Sequence, residues 1–149
     1  MEIKKVFIIG AVTGVEDTVS AYDELGKVVV SVLGDVELIT PNTIFDYRNN
    51  YILHHKTATE EEINYNMVKF DLEQVSTADL VVGDLTVKST GVGIELGTIS
   101  NLDNKKIFFA KEGEVVSNMV LGTFPKNKVI RYKTFDDFKE KLKKELKKL

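Results

Sequence analysis

Cysteine and tryptophan are absent from this 149-residue chain, and histidine occurs only twice. Without cysteine the chain forms neither disulfides nor thiolate metal sites. The two histidines, His54 and His55, are adjacent in a polar segment. Because adjacent side chains rarely converge on one metal ion, we interpret both as solvated, and we predict neither a metal site nor a cofactor.

The sequence also lacks a long hydrophobic run and an excess of positive charge. It has no apolar stretch of about 18 residues and no secretory-type N-terminal segment, so we expect no membrane partner and a cytoplasmic location. The formal net charge is −3, whereas nucleic-acid-binding domains usually have a basic face, so nucleic acid is not an expected partner. Apolar residues make up 43% of the chain, and its length suits one globular domain spanning residues 1–149.

Short apolar runs of strand length alternate with segments of helical periodicity, which indicates a parallel sheet with right-handed crossovers. Five strands favour an α/β fold, a flavodoxin-like or Rossmann-like doubly wound sheet of order 2-1-3-4-5. Such a sheet binds ligands at the carboxyl ends of strands 1 and 3. The predicted strands are residues 5–9, 36–39, 80–83, 107–110 and 128–131, and the predicted helices are 16–33, 59–76, 92–102, 115–121 and a helix from Thr134 to the last residue.

Two turns are predicted to lie side by side at this edge of the sheet, residues 10–14 and residues 89–95. The second turn is rich in small residues and opens a helix, whose first N–H groups have no internal partner and so favour an anion. We expect Glu95 in the first helical turn, where the helix dipole favours an ionised carboxylate. Glu95 is then either a nucleophile beside an anion site or a residue that merely complements the dipole.

A second acidic residue, Asp71, lies inside the predicted helix 59–76 with Met67, Val68 and Val75 at helical spacing. Burial among apolar neighbours would raise its pKa and keep a proton available. The alternative is an aspartate at the helix edge that reaches solvent. Together, a protonated Asp71 and an ionised Glu95 would provide the acid and the nucleophile for cleaving an N-glycosidic bond.

Three segments carry a resemblance to a known family: residues 78–82, residues 89–97 (Ser-Thr-Gly-Val-Gly-Ile-Glu-Leu-Gly) and residues 117–119 (Ser-Asn-Met). They resemble the nucleoside 2-deoxyribosyltransferase superfamily, and most closely its 2'-deoxynucleoside 5'-phosphate N-hydrolase branch. The resemblance covers nearly the whole chain. Asp71, 24 residues before Glu95, adds to its specificity.

The resemblance implies a single nucleoside deoxyribosyltransferase-like domain that acts on a small nucleotide or nucleoside. It implies that Glu95 is the nucleophile, that Asp71 is the acid/base residue and that Ser89 binds the 5'-phosphate. It further implies a homodimer in which Ser117 reaches the site of the neighbouring subunit. The rest of the implied substrate-binding set is Phe7, Gly10, Ala11, Thr13, Gly14, Gly91 and Met119.

Three positions depart from that branch. Phe7 stands where the deoxynucleotide hydrolases have a tyrosine that hydrogen-bonds the nucleophile. A phenylalanine at this position resembles the related hydrolases of cytidine monophosphate. Ala11 and Thr13 replace a serine and an arginine of the phosphate pocket, and the loss of a guanidinium removes a bidentate phosphate ligand. Ribose and deoxyribose therefore both remain open as the sugar.

The resulting hypothesis is hydrolysis of (deoxy)ribonucleoside 5'-monophosphates through a covalent glycosyl intermediate on Glu95. A nucleoside 2-deoxyribosyltransferase and a catalytically silent nucleotide-binding module are the alternatives. A response-regulator receiver with Asp84 as phospho-acceptor is weak, since the turn after strand 1 lacks an acidic residue.

Three further segments have open interpretations. Residues 42–57 have no clean period and are predicted to be a loop, either mobile or forming the base pocket with Phe45, Tyr47 and Tyr51. The apolar residues of 113–122 form either a dimer interface or a helix packed on its own sheet. The C-terminal helix is lysine-rich on one face, which favours a docking helix over a membrane-surface helix.

Overall fold

The structure, a computed structural model, describes residues 2–10 and 17–149. Five parallel strands form one sheet in the order β2-β1-β3-β4-β5, which confirms the predicted flavodoxin-like α/β fold. The strands are β1 Lys5–Ile9, β2 Glu37–Ile39, β3 Leu80–Asp84, β4 Lys105–Lys111 and β5 Val129–Tyr132, and the helices are α1 Thr18–Leu33, α2 Pro41–His54, α3 Glu60–Thr77, α4 Thr90–Thr98, α5 Asn118–Thr123 and α6 Phe135–Leu146.

Each face of the sheet is covered by a separate apolar core. Successive strand residues point to opposite faces, so Val6 and Ile8 of β1 pack with α1 and α6, whereas Phe7 and Ile9 pack with α3, α4 and α5. Burial on both faces explains why the strands are continuous apolar runs. The predicted strand boundaries agree with the observed ones to within two residues.

Residues 42–57, predicted to be a loop, mostly belong to helix α2, so that prediction is wrong. Thr40 caps the helix and forms a capping box with Thr43, and Pro41 occupies the first turn. The sequence of α2 has no helical repeat of apolar residues because none of its residues is buried. Its aromatic side chains pack sideways against α3 instead, where the rings of Tyr47 and Phe70 stack at 4.0 Å.

Helices α4 and α5 differ most from their predicted bounds, and α4 ends at Thr98 rather than at residue 102. Helix α4 begins at Thr90 rather than at residue 92 because the Ser89 side chain caps it by accepting a hydrogen bond from the Val92 N–H. Helix α5 begins at Asn118 rather than at residue 115. The apolar pair Val115 and Val116 precedes α5, and Val116 is buried in the sheet core.

The C-terminal helix α6 docks on β5 and α1, as predicted, through the buried side chains of Phe138, Leu142 and Leu146. Thr134 caps it by accepting from the Asp137 N–H. Across residues 2–10 and 17–149, we find no helix with both the length and the apolar character needed to cross a bilayer.

Candidate active site

The carboxyl ends of β1 and β3 meet at Gly10, where the chain leaves the sheet. Gly10 has φ +101°, and a Cβ atom here would overlap the carbonyl oxygen of Asp84, so only glycine fits this close approach. The Tyr22 hydroxyl donates to the Gly10 carbonyl, which ties the start of the turn to α1. The other predicted members of this turn, Ala11, Thr13 and Gly14, lie outside the described residues.

Beside Gly10, the Asp84 side chain holds the β3–α4 turn in place through hydrogen bonds to Thr86. Its Oδ1 accepts from the Thr86 N–H at 3.1 Å and from the Thr86 hydroxyl at 2.6 Å, and its Oδ2 accepts from the Tyr132 hydroxyl at 2.6 Å. Burial raises the pKa of Asp84, although these three bonds favour its ionised form. With both oxygens engaged and 2% of its surface exposed, Asp84 is placed as a structural anchor and not as a phospho-acceptor.

Asp71 of α3 and Glu95 of α4 are in contact, although 24 residues separate them along the chain. Both carboxyl groups are partly buried, and they share a hydrogen bond. The two helices pack on the same face of the sheet, and helical geometry turns Asp71 and Glu95 toward the seam between them. The structure therefore brings the two predicted catalytic carboxylates into one pair.

The protonation of this pair differs from the prediction. Glu95 is the sixth residue of α4, beyond the first turn, so the helix dipole has little effect on it. Burial and then the nearby Asp71 charge raise the pKa of Glu95 to about 9. Burial also raises the pKa of Asp71, against the hydrogen bond with Glu95, which lowers it. With a pKa of about 9, Glu95 holds a proton at neutral pH, which differs from the ionised carboxylate expected from the helix dipole.

A groove of about 530 Å³ lies between α4 and α5 and contains Ser89, Ser117 and Met119. Among the described residues that line it, none is acidic and Lys88 is the one cation. Ser117 precedes α5 but makes no capping hydrogen bond, so its hydroxyl is not committed to the helix. Gly91, in the first turn of α4, places no side chain between Ser89 and the solvent.

The groove and the carboxylate pair lie on opposite flanks of α4. Val92, Gly93, Leu96 and Gly97 line the groove, whereas Glu95 faces α3, as expected at 100° per residue. Within one chain, therefore, the structure brings Ser89 and Ser117 together but does not bring Ser117 to Glu95.

The other predicted binding residues differ widely in accessibility. Phe7 is 1% exposed in the core beneath α3 and α4, so its ring offers almost no surface to a ligand. Tyr51 stacks on His55, and its hydroxyl accepts from the Asn66 amide at 3.0 Å. Phe45 is 61% exposed. The described residues contain no group of three His, Asp or Glu side chains able to hold a metal ion.

Two residues of this region were missed in the sequence, Asp84 as an anchor and Gln74 as a neighbour of the pair. Gln74 lies one helical turn after Asp71, and its buried side-chain oxygen has no hydrogen-bond partner within residues 2–10 and 17–149. A polar residue three positions after a candidate acid is the signal that could have drawn attention to it.

Comparison by sequence finds neither a matching family model nor a matching curated protein. Solved structures do match over the full length of the chain. A conserved protein from Enterococcus faecalis V583 has a TM-score of 0.65 at 15% identity, with 96% of this chain and 99% of that one covered.

Two other neighbours are enzymes of the superfamily that the sequence resembles. The CMP N-glycosidase BcmB of Clostridium botulinum has a TM-score of 0.62 at 17% identity, covering 93% of this chain and 98% of that one. A 2-deoxyribosyltransferase of Bacillus psychrosaccharolyticus has a TM-score of 0.59 at 19% identity, covering 91% and 90%. The chain thus shares its fold with members of the nucleoside 2-deoxyribosyltransferase superfamily, and at these identities the likeness is one of fold alone.

Proposed function

We propose that this protein hydrolyses the N-glycosidic bond of (deoxy)ribonucleoside 5'-monophosphates and releases a free base and (deoxy)ribose 5-phosphate. The observation that carries the proposal is the partly buried, hydrogen-bonded pair of Asp71 and Glu95. Such a pair contains both a nucleophile and an acid once its proton resides on the aspartate. The activities of BcmB, a CMP N-glycosidase, and of the 2-deoxyribosyltransferase support glycosyl chemistry on the same fold.

The proposed reaction has two steps. The Glu95 carboxylate attacks C1' of the sugar while the bond from C1' to the base nitrogen breaks, and Asp71 delivers its proton to the departing base. Water then attacks C1' and gives a proton to Asp71, and the bond from C1' to Glu95 breaks. The positive charge that develops at C1' favours the ionised form of Glu95, which leaves the proton of the pair on Asp71.

The 5'-phosphate is assigned to the β3–α4 turn, where Ser89 lies. Lys88, next to it, is exposed and forms no ion pair with another described residue. Ser89 is the N-cap of α4, so it and Lys88 lie at the end of the helix, between the flank of the groove and the flank of Glu95. A free cation and a hydroxyl at a helix N-terminus suit a dianion. Lys88 is thus a substitute for the guanidinium that is absent at Thr13.

We expect ribo- and deoxyribonucleoside monophosphates to be cleaved about 10- to 100-fold faster, in kcat/KM, than the matching nucleosides, since charge-assisted hydrogen bonds hold the phosphate. A chromatographic screen of base release, with each monophosphate beside its nucleoside, measures this. Lys88→Met should remove much of the preference, whereas Lys27→Met, a matched loss of an exposed lysine on α1, should leave it intact.

Other outcomes of the screen point to other functions. Faster cleavage of the nucleosides, or exchange of an added second base into the product, would identify a deoxyribosyltransferase. Tight binding of a monophosphate without any base release would identify a silent binding module.

The active protein is further proposed to be a homodimer in which Ser117 of each chain completes the site of the other. Val115 and Met119, which flank Ser117, are 71% and 80% exposed, and an apolar patch of this kind supports an interface. The position of Ser117 across α4 from its own Glu95 supports its use by a partner. A two-fold contact would use the same patch on both chains.

Mixing Glu95→Ala chains with Ser117→Ala chains tests this arrangement. Each mixed dimer should contain one site that has both an intact Glu95 and an intact Ser117, so activity should recover as the subunits exchange. Subunit exchange is followed by mass spectrometry of isotope-labelled chains. Exchange without recovery would mean that each site is built from a single chain.

A further inference from the structure

Three buried side-chain oxygens have no hydrogen-bond partner among the described residues: Asp71 Oδ1, Gln74 Oε1 and Asn104 Oδ1. A buried acceptor without a donor is unfavourable, and native proteins contain few of them. Asn104 is oriented by its own amide, which donates to the Val75 carbonyl at 3.4 Å. The remaining two oxygens, of Asp71 and Gln74, belong to one helix face.

Asp71 and Gln74 are three residues apart on α3, so their side chains are neighbours on the helix surface. Helical side chains lean toward the N-terminus, which carries the head of Gln74 over the turn that holds Asp71. An amide keeps its shape when its oxygen and nitrogen exchange places. If the Gln74 amide is rotated by half a turn, its N–H group takes the place of its oxygen. The buried Asp71 Oδ1, which lacks a donor, then has an N–H donor beside it.

We propose that Gln74 is a positioning residue, whose side-chain amide donates to Asp71 Oδ1 and so leaves the other carboxyl oxygen to carry the proton shared with Glu95. The proposal rests on the proposed function, because it assigns Gln74 to the same carboxylate pair. The hydrogen bond is stronger when Asp71 is ionised. It therefore stabilises the carboxylate that forms as Asp71 protonates the leaving base, and it makes Asp71 a better acid.

The first test needs no substrate. The Cγ resonance of Asp71 is followed by carbon NMR through a pH titration in the wild type and in Gln74→Met, which keeps the length of the side chain but removes the donor. We expect the pKa of Asp71 to rise by about one pH unit in the variant. Glu73→Met, on the exposed face of the same helix, is the matched control and should leave the titration unchanged.

The groups around Asp71 make this readout specific. Among the described residues, Glu95 on α4 is the titratable group that changes the pKa of Asp71. On the other packed elements, α2 places Tyr47 against Phe70, and β1 contributes apolar side chains to the core. An unchanged Asp71 titration in a folded Gln74→Met protein would overturn the proposal. If that variant does not fold, the Gln74 side-chain amide is followed by NMR in the wild type. Amide resonances that do not shift as Asp71 titrates would also overturn the proposal.

The second test measures catalysis. Gln74→Met should lower kcat for a monophosphate by about tenfold, with a smaller change in KM, because Gln74 acts through the acid and not on the substrate. A nitrophenyl glycoside of the same sugar phosphate has a leaving group that needs no proton, so its rate should not fall. An equal loss of kcat for both substrates would mean that Gln74 has a structural role only, which would contradict the proposal. An inactive wild type would refute the proposed function alone, because the titration does not depend on activity.

Discussion

Replacing Glu95 by alanine is expected to abolish glycosidic cleavage, by at least about a thousandfold in kcat, while the fold remains intact. The loss follows because the covalent intermediate needs a carboxylate at this position, and covalent catalysis has no substitute when the nucleophile is absent. Base release is the measurement, with circular dichroism as the check on folding. A small external anion such as azide should enter the vacated space and give a glycosyl azide from an activated substrate.

Full activity in a folded Glu95→Ala protein would contradict the covalent mechanism. Glu114→Ala is the matched control, because Glu114 is exposed and lies outside the carboxylate pair, and it should retain wild-type kcat. Retained base release in Glu95→Ala without any glycosyl azide would indicate a nucleophile elsewhere.

The isosteric variant Glu95→Gln should also be more stable than the wild type at alkaline pH. The folded protein holds the Glu95 proton with a pKa of about 9, against 4.5 for the free side chain. Stability from this proton is fully present below pH 4.5 and is lost as the pH rises toward 9. Glutamine stays neutral throughout, so we expect the Tm of the variant to exceed that of the wild type by about 5 °C at pH 8. The difference should vanish near pH 4.5, and a pH-independent difference would contradict the raised pKa.

The second large effect is expected from Asp71→Asn, which should lower kcat for natural monophosphates by about 10²- to 10⁴-fold. Asparagine occupies the same space but has no proton to give to the departing base. The loss should shrink strongly for a substrate whose leaving group departs without protonation. Rates for the two substrate types, measured side by side, therefore isolate the acid step.

Glu73→Gln provides the control for this prediction, since it neutralises an exposed carboxylate on the same helix and should leave both rates unchanged. If Asp71→Asn slows both substrate types equally, Asp71 acts in positioning or in folding and is not the general acid.

The two carboxylates were recognisable from the sequence for different reasons. Asp71 is an acid among apolar neighbours at helical spacing, and Glu95 follows a small-residue turn after a buried strand. Their hydrogen bond was not predictable, because it depends on how α3 and α4 pack against each other. The same packing raises the pKa of Glu95, since desolvation beside a second carboxyl outweighs a helix dipole that fades after the first turn.

Helix α2 is a helix that apolar periodicity in the sequence could not reveal. Its capping signals, Thr40 and Pro41, are present in the sequence, but the residues after them have no core-facing period. Such a helix is stabilised by contacts with its neighbour α3, among them the stack of Tyr47 on Phe70. Those contacts depend on where β2 ends at the edge of the sheet, which no local pattern encodes.

By itself the sequence predicted the order of the strands, the turn between β3 and α4 and the two candidate carboxylates that the structure brings together. It could do so because alternation of strands and helices, glycine in tight turns and helical spacing are local properties of the chain. Only the tertiary structure decided that the carboxyl groups of Asp71 and Glu95 contact each other, that the side-chain oxygen of Gln74 is buried and that Ser117 lies across α4 from its own Glu95. These are matters of burial and of contact between helices, and both arise only when distant segments pack on one sheet.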